Sequence, residues 1–228
     1  MVSSLGISEN ASFQVPKVIT FVLFNKGIVE GKRFLDFVSS LSRIKMIPRS
    51  GWISHGVSLQ DVESVADHSF STAVLAMLLV DLEVANGRKI NIERVLRLAL
   101  LHDLPETLTF DISKTYLEYL GRRGHSIKSE LEQAAWKHLI KGIGKGAIRT
   151  RYAKLQLEFN AEKTIESRIV HAADRLDLLL QILEYRRRGY PKAILADLWK
   201  GTSKKLQGSK LSSVNKVYKM AARLYSAS

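Results

Sequence analysis

Cysteine is absent from this chain of 228 residues. Its absence excludes disulfides, iron–sulfur clusters held by thiolates, cysteine-based zinc sites and a cysteine nucleophile. Long apolar runs are missing as well, because no stretch reaches the roughly 18 consecutive apolar residues that a membrane-spanning helix needs. The short apolar run at residues 18–24 lacks the basic leader and cleavage site of a secretory signal. We therefore expect a cytoplasmic protein without a membrane partner, in which residues 18–24 form a buried first helix.

Acidic residues are in short supply. The 35 Lys and Arg residues outnumber the 22 Asp and Glu residues, which gives a net charge of +13 at neutral pH. Such a surface attracts polyanions and steers anionic ligands. No basic stripe with interleaved aromatics and no nucleic-acid-binding motif accompanies the charge, so nucleic acid is possible as a partner but is not favoured. A solvated basic surface, or one that steers a phosphate-bearing small substrate, explains the charge better.

Helical periodicity dominates the chain, and no hairpin signal occurs. We expect an all-α fold: a single domain over residues 1–228, with a core at about 30–190 and a basic helical extension at about 191–228. The pattern predicts helices at 30–46, 62–85, 91–103, 125–142, 147–158, 162–187, 191–199 and 211–226. It also predicts a polar turn at 106–115 and a linker at 201–212. In the second of these helices, we expect Val65, Phe70, Val74, Leu75, Met77, Leu78 and Leu82 to face inward.

Polar side chains interrupt the apolar faces of three of these helices. His102 and Asp103 follow the apolar run 98–101, His68 lies near a helix start, and Asp174 lies within another apolar stretch. A carboxylate beside a buried stripe is costly unless it is paired or bound to a metal. One shared metal ion explains these polar residues better than three unrelated causes do. The sequence therefore predicts a divalent metal site with His68, His102, Asp103 and Asp174 as ligands, assembled from three helices.

The chain resembles the HD-domain metal-dependent phosphohydrolases, and most of all the branch that contains the 5′-deoxynucleotidases. The stretches that match lie in the expected order between about residues 30 and 190: Arg49-Ser50-Gly51-Trp52, Glu63-Ser64-Val65-Ala66-Asp67-His68-Ser69, Leu101-His102-Asp103-Leu104-Pro105-Glu106, Asp111-Ile112, and the run 164–174 followed by Asp177. The His-Asp pair alone is a weak signal. The full set, with Arg and Trp upstream of the first His, is specific.

The resemblance implies a role for each of the matching residues in the site. It implies that the four ligands named above bind the metal, that Glu106 and Asp111 assist catalysis, and that Arg49 and Trp52 contact the nucleotide. It further implies hydrolysis of deoxyribonucleoside monophosphates to deoxynucleoside and phosphate, and a homodimer. For Trp52 the alternative is a core aromatic, and for Glu106 and Asp111 it is a capping or surface carboxylate.

Two features depart from the pattern of that family or add to it. Family members usually place a glycine before the aspartate that corresponds to Asp111, whereas this chain has Phe110, so the loop is expected to be less open. His171 lies three residues before Asp174 on the same helix face, and it could be a ligand or a supporting residue.

The donor set itself indicates which metals suit the site. Two neutral imidazoles and two carboxylates, without sulfur, suit a single manganese, cobalt, nickel, iron, zinc or magnesium ion better than copper(I). Six-coordinate geometry would leave two positions for a water and a phosphate oxygen. Such an ion lowers the pKa of its water from about 15.7 towards about 7.

Two other functions remain open from the sequence. The first is another HD phosphohydrolase, with a deoxynucleoside triphosphate, guanosine polyphosphate or cyclic nucleotide as substrate. Dinuclear enzymes of the superfamily carry extra histidines between the His-Asp pair and the last Asp; His125 and His138 lie there, but their spacing turns them apart on one helix. The second is a basic nucleic-acid-binding protein whose HD site is vestigial.

Overall fold

The computed structural model describes residues 31–227, so the helix predicted at residues 18–24 lies outside the described part. Within residues 31–227 there are eleven helices and no strand, apart from one isolated antiparallel bridge between Pro48 and Ser64. The helices are α1 (Gly31–Ile44), α2 (Ser50–Ser54), α3 (Val65–Ala85), α4 (Ile92–Leu101), α5 (Glu106–Thr109), α6 (Lys114–Glu118), α7 (Arg122–Leu139), α8 (Ala147–Ala161), α9 (Ile165–Arg187), α10 (Lys192–Leu206) and α11 (Ser212–Ala227). The expectation of an all-α fold is confirmed.

The structure changes two of the predicted connections. The expected linker at 201–212 is helical as far as Leu206, because buried Trp199, Ser203 and Leu206 pack this segment into the protein. The packing of one helix face against the core stabilises the helix more than the Gly, Ser and Lys composition of that stretch disfavours it. The expected polar turn at 106–115 contains the short helix α5 and the start of α6.

Helix α9 is the central element of the bundle. It contacts α3, α4, α8, α10 and α11, and Thr164 caps its start by accepting a hydrogen bond from the backbone N–H of Ser167. Leu176, Leu179 and Ile182 on this helix are completely buried. The C-terminal helices α10 and α11 add Leu195, Trp199, Leu206, Val214 and Ala221 to the same core. The division of the chain at about residue 190, and the extent of a single domain over all 228 residues, stay predictions.

The orientation predicted for α3 is largely wrong. Its buried face carries mostly small or polar residues together with Leu79 (Val65, His68, Ser69, Thr72, Ala73, Ala76, Leu79, Val80, Glu83), whereas Phe70, Val74, Met77, Leu78 and Leu82 are exposed. The helix is apolar on nearly every side, so periodicity does not show which face is buried. By length and composition alone α3 could cross a membrane, but its packed face, with His68 and Glu83 buried, is that of a core helix.

The chain between α1 and α3 folds back on itself beside the start of α3. The backbone N–H of Arg49 donates to the carbonyl of Glu63 at 3.0 Å, and the N–H of Val65 donates to the carbonyl of Ile47 at 2.8 Å. Ser64 then begins α3 with a capping box that it shares with Asp67. These bonds hold Arg49 and α2 next to the first turn of α3, where His68 lies.

Candidate active site

The four predicted ligands lie close to one another on three helical segments. His68 lies in α3, His102 and Asp103 follow the last residue of α4, and Asp174 lies in the middle of α9. Nε2 of His68 is 3.3 Å from Oδ1 of Asp174 and 3.5 Å from Oδ2 of Asp103. Nε2 of His102 is 3.2 Å from the same Asp103 oxygen and 3.4 Å from Nε2 of His68. Two ring nitrogens and one oxygen of Asp103 therefore converge, and Asp174 adds a second carboxylate beside His68.

The second nitrogen of each imidazole is already engaged by the fold. Nδ1 of His102 lies 2.7 Å from the carbonyl oxygen of Ala99, which can only accept, so Nδ1 carries the proton. Nδ1 of His68 lies 2.7 Å from Oδ2 of Asp177 and likewise suits a donor. In the neutral rings the lone pairs of both Nε2 atoms then face each other across 3.4 Å. A cation between them, with the two carboxylates beside it, satisfies all four donors, so these residues fit a divalent metal ion.

The pKa values of His68 and Asp174 reflect the close contact between these two side chains. Burial lowers the pKa of His68, as does Arg49, but hydrogen bonds to Asp174 and Asp177 outweigh them and raise the pKa to about 10. Burial acts to raise the pKa of Asp174, yet its bond to His68 lowers it below the usual range. The same carboxylates favour a positive charge at His68, so a divalent ion and a proton would compete for this position.

A second layer of side chains holds His68 and the wall behind it. Asp177 is buried and bonds Nδ1 of His68, and Glu63 lies close to both. Oε1 of Glu63 accepts a hydrogen bond of 2.8 Å from Nε1 of Trp52, whose ring packs edge-on against Tyr185 at 5.0 Å. Trp52 is only 2% exposed, which fits the alternative of a core aromatic at the pocket wall. Contact of Trp52 with a nucleotide stays a prediction.

Arg49 lies beside the metal ligands and faces the cavity. Its Nη1 is 3.2 Å from Oδ2 of Asp103. Burial acts to lower the pKa of the guanidinium, but Asp103, Asp111 and Glu106 raise it above its usual value. Arg49 therefore stays charged at every relevant pH, and its planar fork suits two oxygens of a phosphate.

Glu106 and Asp111, the two predicted catalytic carboxylates, lie in different surroundings. Glu106 is buried, with Oε1 3.8 Å from Nζ of Lys128, and its Oε2 has no hydrogen-bond partner within residues 31–227. Burial, together with Asp103 and Asp111, raises the pKa of Glu106 well above its usual value. Asp111 accepts a hydrogen bond of 2.6 Å from the backbone N–H of Ser50 at the start of α2. Asp111 therefore links its loop to the helix that follows Arg49.

The loop between these carboxylates has an unusual backbone. Phe110 has φ 59° and ψ 167°, a conformation that favours glycine, and its side chain is 66% exposed. The residue that stands where the resembling family usually has glycine is therefore held in a glycine-like conformation. Whether the loop is less open than in the family stays a prediction.

A cavity of about 700 Å³ opens beside the metal ligands. Arg49, Trp52, Asp103, Glu106, Asp111 and Asp174 all line it. Its wall also includes six charged or titratable residues that sequence reasoning did not select: His55, Glu118, Lys128, Arg175, Asp197 and Lys205. Asp197 and Lys205 come from α10, whose place over the site is not visible in any local sequence pattern. Lys128 lies four residues before Glu132 on a helix, and the two form an ion pair of 3.4 Å. This spacing is the one local feature of the sequence that points to Lys128.

His171 lines the same cavity but is not part of the convergent donor set. Its Nε2 lies 2.9 Å from the carbonyl oxygen of Phe159, and its ring stacks on that of Phe159 at 4.1 Å. These contacts fit a supporting role better than ligation. His125 and His138, the other histidines between the His-Asp pair and Asp174, do not line this cavity.

Comparison with known proteins agrees with this geometry. Residues 41–214 match the HD domain family. The chain is 32% identical over 177 residues to a 5′-deoxynucleotidase of Xenopus laevis (78% of this chain, 81% of the relative) and 31% identical over 154 residues to one of Schizosaccharomyces pombe (68% and 73%). An HD-domain phosphohydrolase of Listeria innocua has the same fold, with a TM-score of 0.71, 24% identity, and coverage of 85% of this chain and 89% of that one. The chain therefore belongs to the HD-domain family, in the branch that contains the 5′-deoxynucleotidases.

Proposed function

We propose that the protein is a metal-dependent 5′-deoxynucleotidase, which hydrolyses a deoxyribonucleoside 5′-monophosphate to the deoxynucleoside and phosphate. The observation that carries the proposal is the facing pair of Nε2 atoms of His68 and His102, flanked by Asp103 and Asp174, at the wall of an open cavity that also presents Arg49. The relatives from Xenopus laevis and Schizosaccharomyces pombe, both named 5′-deoxynucleotidases, support this choice of substrate class.

The chain's own residues can carry out the remaining chemistry of phosphate-ester hydrolysis. A bound divalent ion would supply an acidified water and neutralise charge on the phosphoryl oxygens. Arg49 holds the phosphate oxygens from the side, and the carboxylate of Glu106 accepts a proton from the attacking water. As the new bond from water oxygen to phosphorus forms, the bond from phosphorus to the 5′ oxygen breaks. Asp111 positions that leaving oxygen, and the proton that Glu106 took from the water passes to it through solvent, which gives the 5′-hydroxyl.

A substrate panel tests the proposed function. Phosphate release is measured with deoxyribonucleoside and ribonucleoside monophosphates, deoxynucleoside triphosphates and cyclic nucleotides, each with manganese, cobalt, magnesium or a chelator present. We expect the deoxyribonucleoside monophosphates to react fastest, and only with a metal. His102→Ala should abolish the activity, whereas His125→Ala, which changes an exposed histidine outside the cavity, should leave it intact. A preference for triphosphates or cyclic nucleotides would instead identify another HD phosphohydrolase.

We also propose a homodimer formed through the exposed face of α3. Its exposed residues Phe70, Val74, Met77 and Val84 follow the alternating spacing of four and three residues at which two helices pack together, with Asp81 completing the row. The whole helix lacks Lys and Arg, although the chain has 35 of them. A face without cations does not suit nucleic acid or an anionic membrane. It suits the same helix of a second copy in antiparallel orientation, since a parallel pair would place Asp81 against itself.

The oligomeric state in solution tests this interface. Light scattering coupled to gel filtration should give twice the monomer mass for the wild type and the monomer mass for Met77→Glu. Leu157→Glu places the same charge at an exposed leucine on α8 and should remain dimeric. A monomeric wild type, or a dimeric Met77→Glu variant, would refute the interface.

The absence of cysteine supports a further proposal, that the protein resides in the cytoplasm. Fractionation of cells that produce the native chain tests it, and recovery in a membrane or secreted fraction would contradict it.

A further inference from the structure

A second cavity, of about 600 Å³, lies away from the metal ligands and shares no lining residue with the active-site cavity. Its wall is formed by α1, the end of α7, the loop that follows α7 and the first turn of α8, with Leu108 of α5 closing one side. A volume of this size is in the range of small-molecule sites, roughly 300–1,000 Å³. None of the roles proposed for the active site uses it.

Cationic side chains dominate the polar part of this cavity. Arg43, Lys141, Lys145 and Arg149 line it, and Asp36 is the only carboxylate that the described part of the chain contributes to the lining. Nη2 of Arg149 donates to the carbonyl of Lys141 at 3.1 Å, which anchors the guanidinium at one end. The Nε of Arg149 is buried and has no hydrogen-bond partner within residues 31–227. Ser40 and His138 add further polar groups to the lining, so an anionic ligand would enter a site of net positive charge.

The loop between α7 and α8 has the composition of an anion-binding turn. Residues 141–147 read Lys-Gly-Ile-Gly-Lys-Gly-Ala, and Gly144 and Gly146 have φ values of 97° and 81°. Gly146 is the N-cap of the 15-residue helix α8, and it offers no side chain to bond the first N–H groups of that helix. Such N–H groups, at the positive end of the helix dipole, bind phosphate oxygens well. Ile143 is buried and fixes the loop to the body of the protein.

The remaining wall is apolar and lies next to the cations. Phe37, Leu108 and Leu139 line the cavity on this side. Phosphate alone would use only the cationic part, whereas a ligand with a phosphate group and a flat apolar portion would use both. We propose that this cavity is a second, non-catalytic site that binds a nucleotide, with its phosphates at the cationic loop and its base against Phe37 and Leu108. The proposal does not depend on the reaction assigned to the active site.

Fluorescence anisotropy with a fluorescently labelled ATP, in excess magnesium and with the full metal-loaded protein, tests this site. The double variant Arg43→Ala/Lys141→Ala removes two exposed cations of the cavity. It should weaken binding by at least about tenfold, because two charge-assisted contacts are lost. The matched control Arg123→Ala/Lys137→Ala removes the same charge from exposed residues of α7 outside the cavity and should bind as the wild type does.

Two further arms separate the possible sources of binding. Arg49→Ala, at the active site, should retain the binding, and Arg43→Ala/Lys141→Ala should retain phosphate release from deoxyribonucleoside monophosphates. Unlabelled ATP should compete best, tripolyphosphate less well, and adenosine hardly at all. Equal weakening in the control pair would show a general charge effect, and loss in Arg49→Ala alone would show binding at the active site. Either result overturns the proposal.

Discussion

His68 and His102 each give one ring nitrogen to the fold and turn the other towards the candidate metal. For His68 the fold's partner is the carboxyl group of Asp177, which is buried. A partner of this kind fixes the orientation of the imidazole and strengthens it as a ligand. The resemblance in sequence includes Asp177 but assigns it no role, and only the 2.7 Å contact with His68 gives it one.

The contact predicts the effect of Asp177→Asn. The amide keeps an oxygen that can accept the proton of His68, but it lacks the negative charge that strengthens the opposite nitrogen. Metal affinity should fall by about 10–100-fold. Competition with a metal-binding dye measures it, and Asp197→Asn, at an exposed carboxylate of the same cavity, serves as the control. Unchanged affinity in Asp177→Asn would remove this role.

Replacement of Glu106 should reduce turnover without reducing metal binding. Its side chain lies in the cavity but outside the convergent donor set, so Glu106→Gln should keep the metal content. The amide cannot accept a proton from water, and turnover should fall by about 10²–10⁴-fold. Metal analysis and steady-state kinetics on the same sample check both parts. Normal turnover would mean that another group takes the proton.

The backbone conformation of Phe110 predicts that its replacement by glycine stabilises the protein. A non-glycine residue at φ 59° and ψ 167° costs about 1–3 kcal/mol, and glycine removes that cost while adding about 0.5–1 kcal/mol of unfolded-state entropy. Since the phenyl ring is mostly exposed, little packing is lost. Phe110→Gly should therefore raise the free energy of unfolding by about 1 kcal/mol in urea titrations. A lower value would indicate that the ring makes a contact of its own.

At the level of whole helices, the sequence predicts the existence of α3, α9 and most of the others, because their apolar repeats are long. It does not predict which side of α3 is buried. Phe70 and Met77 are larger and more apolar than the buried Ala73 and Ala76, yet they face outward, since close packing against α9 and α4 needs small residues. The proximity of His68, His102, Asp103 and Asp174 is predictable from the sequence because polar groups stand out in apolar stretches, whereas their role as ligands stays a prediction. The residues that α10 contributes to the cavity cannot be predicted from the sequence, because their position depends on how helices distant in sequence pack together.

A buried carboxylate lies where α3 packs against α11. Oε1 of Glu83, in α3, accepts hydrogen bonds from the backbone N–H of Ser213 at 2.7 Å and from the hydroxyl of Ser212 at 3.2 Å. Its Oε2 lies 2.7 Å from Nε of Arg88. Burial acts to raise the pKa of Glu83, but the bonds from Ser213 and Ser212 lower it below the usual value. Glu83 therefore caps the start of α11 in its charged form.

This bond predicts acid-sensitive docking of α11. Because the pKa of Glu83 is lower in the folded state, its contribution is complete above the unfolded pKa of about 4.3 and is lost as the pH falls through the folded value. Glu83→Gln should lower the free energy of unfolding by about 1–3 kcal/mol at pH 7, and the difference from wild type should shrink below pH 4. Glu93→Gln, at an exposed ion pair of α4, should cost far less. A difference that does not depend on pH would contradict the assignment.

Across the whole molecule, the candidate metal would connect parts of the chain that are far apart in sequence. Its ligands come from α3, from the turn after α4 and from α9, three segments that pack against one another in the core. Carboxylates concentrate there in an otherwise basic protein of net charge +13, with Asp103, Asp174 and Asp177 beside the two histidines. A cation offsets their repulsion, and it binds the folded chain far better than the unfolded one, where these segments are separated.

Removal of the metal should therefore lower the thermal stability of the entire domain and not only its activity. At a free metal concentration 100 times the dissociation constant, binding stabilises the fold by about 2.7 kcal/mol. For a chain of this size, that corresponds to a rise in Tm of roughly 5–10 °C, measured by calorimetry with manganese against chelator. Asp174→Asn, which removes one ligand charge at a partly exposed position, should lose most of this rise. An equal rise in the variant would place the stabilising ion elsewhere, and the facing histidines would then need another explanation.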